Sequence, residues 1–189
     1  YLYTQAARLG YLDAQLLLGS IYNDSDVSIY NPQKAFEFYG AAAKQGNPEG
    51  LYFYAEMLLS GRGTGANFKA AAESLIIAAE KGYAPAQFLL GDLYGKGKGV
   101  TQSNSLALKW LKASAIQKYQ RAYYSLGETM KKRASSSEEL QEAIYWLELA
   151  AANNEPRAQY LLSKIYFAGE GVSPDKAIAD SYLMNAAEN

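Results

Sequence analysis

The sequence predicts an all-α fold, a right-handed α/α superhelical solenoid of 36-residue helix-turn-helix repeats. Two observations carry this expectation. The chain matches itself when slid by 36 positions, over five periods, with no insertion or deletion, and a fixed period of that size marks repeat architectures. Within each period, apolar residues recur at helical spacing in two blocks bounded by cap and stop residues. The 17 tyrosines and the frequent alanine pairs agree, since repeats reuse the same few packing residues.

Taken in order, Tyr1 to Gly10 reads as the second helix of a preceding repeat. First helices then open at Ala14, Gly50, Ala86, Ala122 and Ala158, so repeats start at 14, 50, 86, 122 and 158 within a single solenoid over 1–189. Four residues on stand Leu18, Tyr54, Leu90, Leu126 and Leu162, and next to them Gly19, Ala55, Gly91, Gly127 and Ser163. Ala14, Leu18, Ile21 and Tyr22 follow i, i+4, i+7, i+8 spacing, which marks the buried stripe.

Second helices begin after Asn31, Asn67 and Ser103, residues suited to an N-cap. Pro32 and Pro174 fit a first helical position. These helices carry Ala35, Ala71, Ala107, Ala143 and Ala179, followed by Phe38, Ser74, Trp110, Trp146 and Tyr182. They stop at Gly10, Gly46 and Gly82, where a left-handed C-cap favours glycine, and then at Lys118 and Asn154. Lysine accepts that conformation at a cost. The small residues let helices approach closely, while the rings of Phe38, Trp110 and Trp146 fill the space between them. One helix pair cannot bury its own apolar face, whereas stacked pairs can.

The pattern A-x-x-x-L-G-x-x-Y-x-x-G-x-G-V, then A-x-x-W-x-x-x-A-A and glycine, resembles the Sel-one-like repeat of the tetratricopeptide group. The third period fits best, through Ala86, Leu90, Gly91, Tyr94, Gly97, Gly99, Val100, Ala107, Trp110 and Ala115. Ser25-Asp26-Val27 and Arg133-Ala134-Ser135 replace G-x-G in the first and fourth periods. The resemblance implies a protein or peptide partner held on the concave surface, which the first helices line. It also implies an adaptor or scaffold, a bacterial extracytoplasmic setting, and two narrower alternatives: an immunity protein capping a secreted toxin, or the non-catalytic repeat region of a larger enzyme. A monomer is expected.

Composition narrows the chemistry. There is no cysteine and no histidine, which excludes thiolate chemistry, removes the commonest general base and metal ligand, and points away from an enzyme. No catalytic residue, metal or cofactor is expected. A net charge of −1 offers no field for nucleic acid, and no apolar run is long enough to insert in a membrane. The chain starts at Tyr1 and ends within a helical pattern, as expected of a piece of a longer protein.

Three short motifs have plainer readings. Gly95-Lys96-Gly97-Lys98-Gly99 suggests a phosphate cradle, but Gly61-Arg62-Gly63 and Gly169-Glu170-Gly171 hold the same place, and a glutamate would repel the anion. The glycines are expected to turn the chain between helices at positive φ. Asn23-Asp24-Ser25-Asp26 lacks the glycine and closing glutamate of a calcium loop. Lys131-Lys132-Arg133 suits a helix C-terminus.

On a wheel of about 100° per residue, the stripe opposite the core holds three columns. The first is Leu16, Tyr52, Phe88, Tyr124 and Tyr160; the second is Ser20, Glu56, Asp92, Glu128 and Lys164; the third is Asn23, Leu59, Gly95, Lys131 and Phe167. The candidate partner-binding residues are therefore Tyr52, Glu56, Phe88, Asp92, Tyr124, Glu128, Tyr160 and Lys164. The aromatic column has two readings, packing against the neighbouring repeat or contact area for a partner, and the acidic column is expected to have no packing role and to favour a basic partner. Arg62, Lys96, Lys98 and Lys132 lie on the loop edge.

Overall fold

A computed structural model of the chain describes residues 2–188, and among these it contains eleven α-helices and no strand. The helices fall into two compact units, Tyr1–Ser103 and Asn104–Asn189. The first holds α1 (Leu2–Arg8), α2 (Leu12–Asn23), α3 (Pro32–Lys44), α4 (Pro48–Ser60), α5 (Phe68–Glu80) and α6 (Ala84–Lys96). The second holds α7 (Asn104–Ile116), α8 (Arg121–Arg133), α9 (Ser137–Ala152), α10 (Pro156–Ala168) and α11 (Lys176–Glu188). In each unit a helix packs chiefly against its neighbours in sequence.

The predicted boundaries have identifiable chemistry. The side-chain oxygen of Asn31 accepts the amide of Lys34 at 3.0 Å, that of Asn67 accepts the amide of Ala70 at 3.0 Å, and Pro32 is the first residue of α3. The five stops all have positive φ: Gly10, Gly46 and Gly82, and also Lys118 (63°) and Asn154 (58°). Pro174 does not open its helix. The carboxylate of Asp175 caps α11 by accepting the amide of Ile178 at 2.9 Å, and the Pro174 ring lies in the loop against Gly169. Aspartate next to the helix outcompetes a serine two residues earlier.

The G-x-G segments are turns with a packing duty. Gly97 and Gly99 have φ of 65° and 73°, and a methyl group at Gly99 would overlap the carbonyl oxygen of Phe68 at the start of α5. Gly63 lies in the same way on Pro32 at the start of α3. The first period closes its loop without these glycines: the Asn31 amide reaches the Tyr22 carbonyl at 2.8 Å, as Asn67 reaches Leu58 at 2.9 Å. The fourth period instead lengthens its second helix. Only Ala134–Ser136 separate α8 from α9, which runs for 16 residues. The Ser136 hydroxyl accepts the Glu139 amide, and the Glu139 carboxylate accepts the Ser135 amide at 2.8 Å.

The alanines and leucines of the repeat form the core. In the first unit Ala35, Ala55, Ala71, Leu75 and Leu90 are fully buried; in the second Ala122, Leu126, Ala143, Leu147 and Leu162 are. A side chain at Gly19 would run into the ring of Tyr39, and one at Gly127 would meet Leu147, so these small residues set helix spacing. The rings between helices are half-buried: Phe38 stacks on Tyr22 at 5.8 Å and Trp146 packs against Tyr123 at 5.8 Å.

Candidate functional site

In the first unit, the outward stripe of α4 and α6 is more tightly packed than its polar pattern suggests. Tyr52 is only 7% exposed, lies against Phe53 and Tyr83, and donates its hydroxyl to Glu56 at 2.7 Å. Phe88 is half-buried, and Asp92 pairs with Lys96 one turn on at 2.7 Å. Lys98 sits over the Phe68 ring at 5.7 Å.

In the second unit, Tyr124, Glu128, Tyr160 and Lys164 line one cleft of about 610 Å³, and all four are accessible at least in part. Tyr124 donates its hydroxyl to Glu128 at 3.1 Å, and Glu128 also pairs with Lys132 at 3.1 Å. Burial, then the Glu128 charge, pushes the Tyr124 hydroxyl above its ordinary pKa of 10.0. Arg157 lies 4.5 Å from the centre of the Tyr124 ring, and Lys164 lies 4.5 Å from that of Tyr160. The Arg157 guanidinium donates to both oxygens of Glu155, at 2.7 and 3.2 Å, and this hydrogen bonding holds the Glu155 carboxyl below the usual range. Tyr160 is 49% exposed. Leu161 and Leu183 supply the apolar part of the cleft.

The acidic column therefore has a packing role, contrary to expectation. Glu56 and Glu128 each receive a tyrosine hydroxyl from the preceding turn, because Tyr and Glu at i, i+4 share one helix face. Loop-edge lysines then offset part of the charge: Lys96 on Asp92, Lys132 on Glu128. In the third column Lys131 pairs with Glu170 at 2.6 Å and Phe167 is exposed.

Some contacts escaped the sequence reading. Arg157 was not among the candidates, although it stands one turn before Tyr160 and, one period earlier, Tyr124 is within its reach. The buried amides of Gln15, Gln87 and Gln159 were also missed. Each donates to a last-turn carbonyl of the preceding helix, that of Ala7, Ala79 or Ala151, at 3.0, 3.1 and 3.3 Å. The available signal was a glutamine directly after the opening alanine in three of the five periods. Among the described residues no group of acidic side chains could hold a metal ion, and no helix is long and apolar enough to cross a membrane.

The Sel1 repeat family model matches residues 1–11, 12–47, 48–83, 84–119, 120–155 and 156–188. The chain belongs to the Sel1 repeat family. A comparison with curated proteins finds no match. Among solved structures, the chain is similar to a protective antigen of uropathogenic Escherichia coli with this repeat fold, at 25% identity and a TM-score of 0.88. That match covers 98% of this chain and 40% of the antigen. A Sel1 repeat protein of Oxalobacter formigenes matches at 31% identity and a TM-score of 0.79, over 98% of this chain and 54% of the other. The chain thus spans about half or less of the length of these two relatives. An immunity protein of Pseudomonas aeruginosa shares the fold at 22% identity and a TM-score of 0.58, over 98% of this chain and 71% of that one. The all-α solenoid class follows from these matches, and Sel1 repeat proteins are generally non-catalytic scaffolds for protein interaction.

Proposed function

We propose that this chain is a non-catalytic scaffold that binds a partner protein through the outward stripe of its first helices. The observation that carries the reading is the α8–α10 cleft. Its tyrosines are held ready, Tyr124 by Glu128 and Arg157, and Tyr160 by Lys164. Ordering these side chains before contact lowers the entropy cost of binding, and tyrosine and arginine are the residue types that dominate interface energetics. The α4 and α6 stripe contributes less ring surface, since Tyr52 is packed away. Phe88 and the carboxylates of Glu56 and Asp92 remain accessible in part.

Cross-linked capture from the source organism tests the proposal, comparing the native chain with a Tyr160→Ala/Lys164→Glu variant. Both positions are exposed, so helicity is retained. A partner captured by the native chain and lost by the variant supports the reading. Equal capture by both rejects this face. Capture of a secreted toxin would narrow the role to that of an immunity protein, which the fold shared with the Pseudomonas structure accommodates.

A further inference from the structure

The second helices carry a ring at one register position in every repeat but one. Phe38, Trp110, Trp146 and Tyr182 hold it, and the second repeat has Ser74. Phe38 stacks on Tyr22, Trp146 packs on Tyr123, and Tyr182 stacks on Tyr166 at 5.9 Å. Ser74 turns its hydroxyl back to the Ala70 carbonyl of its own helix at 3.0 Å and fills none of the equivalent space.

A second small residue faces the same place. Gly40 of α3 stands where the other second helices carry Ile76, Lys112, Glu148 and Met184. In the fourth repeat that position is occupied: Glu148 accepts the hydroxyl of Tyr166, from the next repeat, at 2.8 Å, and burial, then the Glu148 charge, raises the pKa of Tyr182. Without a side chain at position 40 the Tyr54 ring moves in close, so that even a methyl group there would lie 3.2 Å from it. Tyr54 in turn stacks on Phe36 at 4.7 Å.

The result is a cleft of about 520 Å³ between α3 and α5, lined by Gly40 and Ser74, by the Phe36–Tyr54 stack, and by Leu51. Exposed Glu37 and Lys44 border it. It shares no residue with the α8–α10 cleft, and none of Tyr52, Glu56, Phe88 and Asp92 lines it.

We propose that this cleft is a receptor site for one aromatic side chain, an indole or phenol ring, presented by a protein partner. The ring takes the place that Trp146 fills two repeats on, where it packs against Tyr123, the register equivalent of Leu51. The Phe36–Tyr54 stack offers it an aromatic wall, which rings prefer in offset or edge geometry. The Glu37 carboxylate at the border accepts an indole N–H or a phenol O–H, and Lys44 suits a backbone carbonyl of the incoming segment.

The test uses 5-fluoroindole and N-acetyl-5-fluorotryptophanamide as probes, read by fluorine NMR line width against the native chain. Saturable binding is expected, weak as befits a fragment. In Ser74→Trp the chain supplies its own ring, and affinity falls by about tenfold or more, with the circular dichroism spectrum unchanged and the melting temperature held or raised. Should Ser74→Trp fail to fold, Ser74→Leu fills part of the space and weakens binding, and Phe36→Ala removes one wall and does the same. Tyr160→Ala leaves probe binding intact, which separates this site from the α8–α10 cleft. No saturable binding by the native chain, or equal binding by native and Ser74-filled chains, overturns the proposal.

Discussion

Alanine at Gly97 and alanine at Gly99 cost different amounts, and the difference measures how one repeat leans on the one before it. Both glycines have left-handed φ, 65° and 73°, so each substitution carries the same conformational penalty, about 1–2 kcal/mol. The space around them differs. At Gly97 the new methyl group meets the Gln102 Cβ at 3.1 Å, an exposed residue that gives way. At Gly99 it overlaps the backbone carbonyl of Phe68 and stands 3.0 Å from the Lys69 amide nitrogen, so the start of α5 or the whole loop must shift. Overpacking of that kind adds about 1–3 kcal/mol. Gly97→Ala is therefore expected to lose about 1–2 kcal/mol and Gly99→Ala about 2–5 kcal/mol, with melting temperatures lower by about 2–4 °C per kcal/mol. Urea and thermal unfolding followed by circular dichroism supply the values, with the urea slope checked for constancy. The Gly61 and Gly63 pair repeats the experiment one period earlier, since a methyl group at Gly63 overlaps the Pro32 carbonyl, whereas one at Gly61 stays in ordinary contact, 3.4 Å from the Ala66 nitrogen. Equal losses at 97 and 99 would refute the reasoning, because φ alone would then account for both.

Three further outcomes are expected. The Tyr39 hydroxyl is pushed up to about 12 by burial and then by Glu49 and Glu56, so its contribution is whole below the ordinary value of 10.0 and is lost as pH climbs through 12; Tyr39→Phe should flatten this alkaline loss in unfolding curves taken between those limits. Gln87→Leu removes the bond to the Ala79 carbonyl and should cost about 0.5–1.5 kcal/mol, with faster amide exchange at Gly82, whose N–H shares that carbonyl. Trp146→Ala should cost about 2–4 kcal/mol by calorimetry, below the full-burial range because the ring is half-buried, and an unchanged melting temperature would deny it a packing role.

The architecture was legible because it is written in period and in chirality. Alanine and leucine columns give the buried stripe directly, and the stops at Lys118 and Asn154 were readable from register although neither is glycine. What escaped was side-chain reach. Nothing in a column of acids announces that Glu56 and Glu128 hold tyrosine hydroxyls, since the wheel separates faces by angle and ignores contacts a turn away along the axis. Arg157 meets Tyr124 from the next repeat, a pairing set by helix packing distance. The helix start at Ser137 breaks the period, since 36 residues on from Ser103 stands Glu139 and the cap is Ser136, three residues earlier and at capping-box spacing from Glu139. Pro174 misled for a related reason, as Asp175 is the better cap.

The buried glutamines bear on how such a chain can lengthen or shorten over evolutionary time. Gln15, Gln87 and Gln159 stand 72 residues apart, and the intervening first helices carry Leu51 and Tyr123 at that place. Each glutamine shares its carbonyl with the amide of the stop residue, Gly10, Gly82 or Asn154. Neighbouring repeats are therefore unlike partners, each matched to what flanks it. Gain or loss of one repeat sets two like joints side by side, whereas a pair gained or lost together leaves the alternation whole.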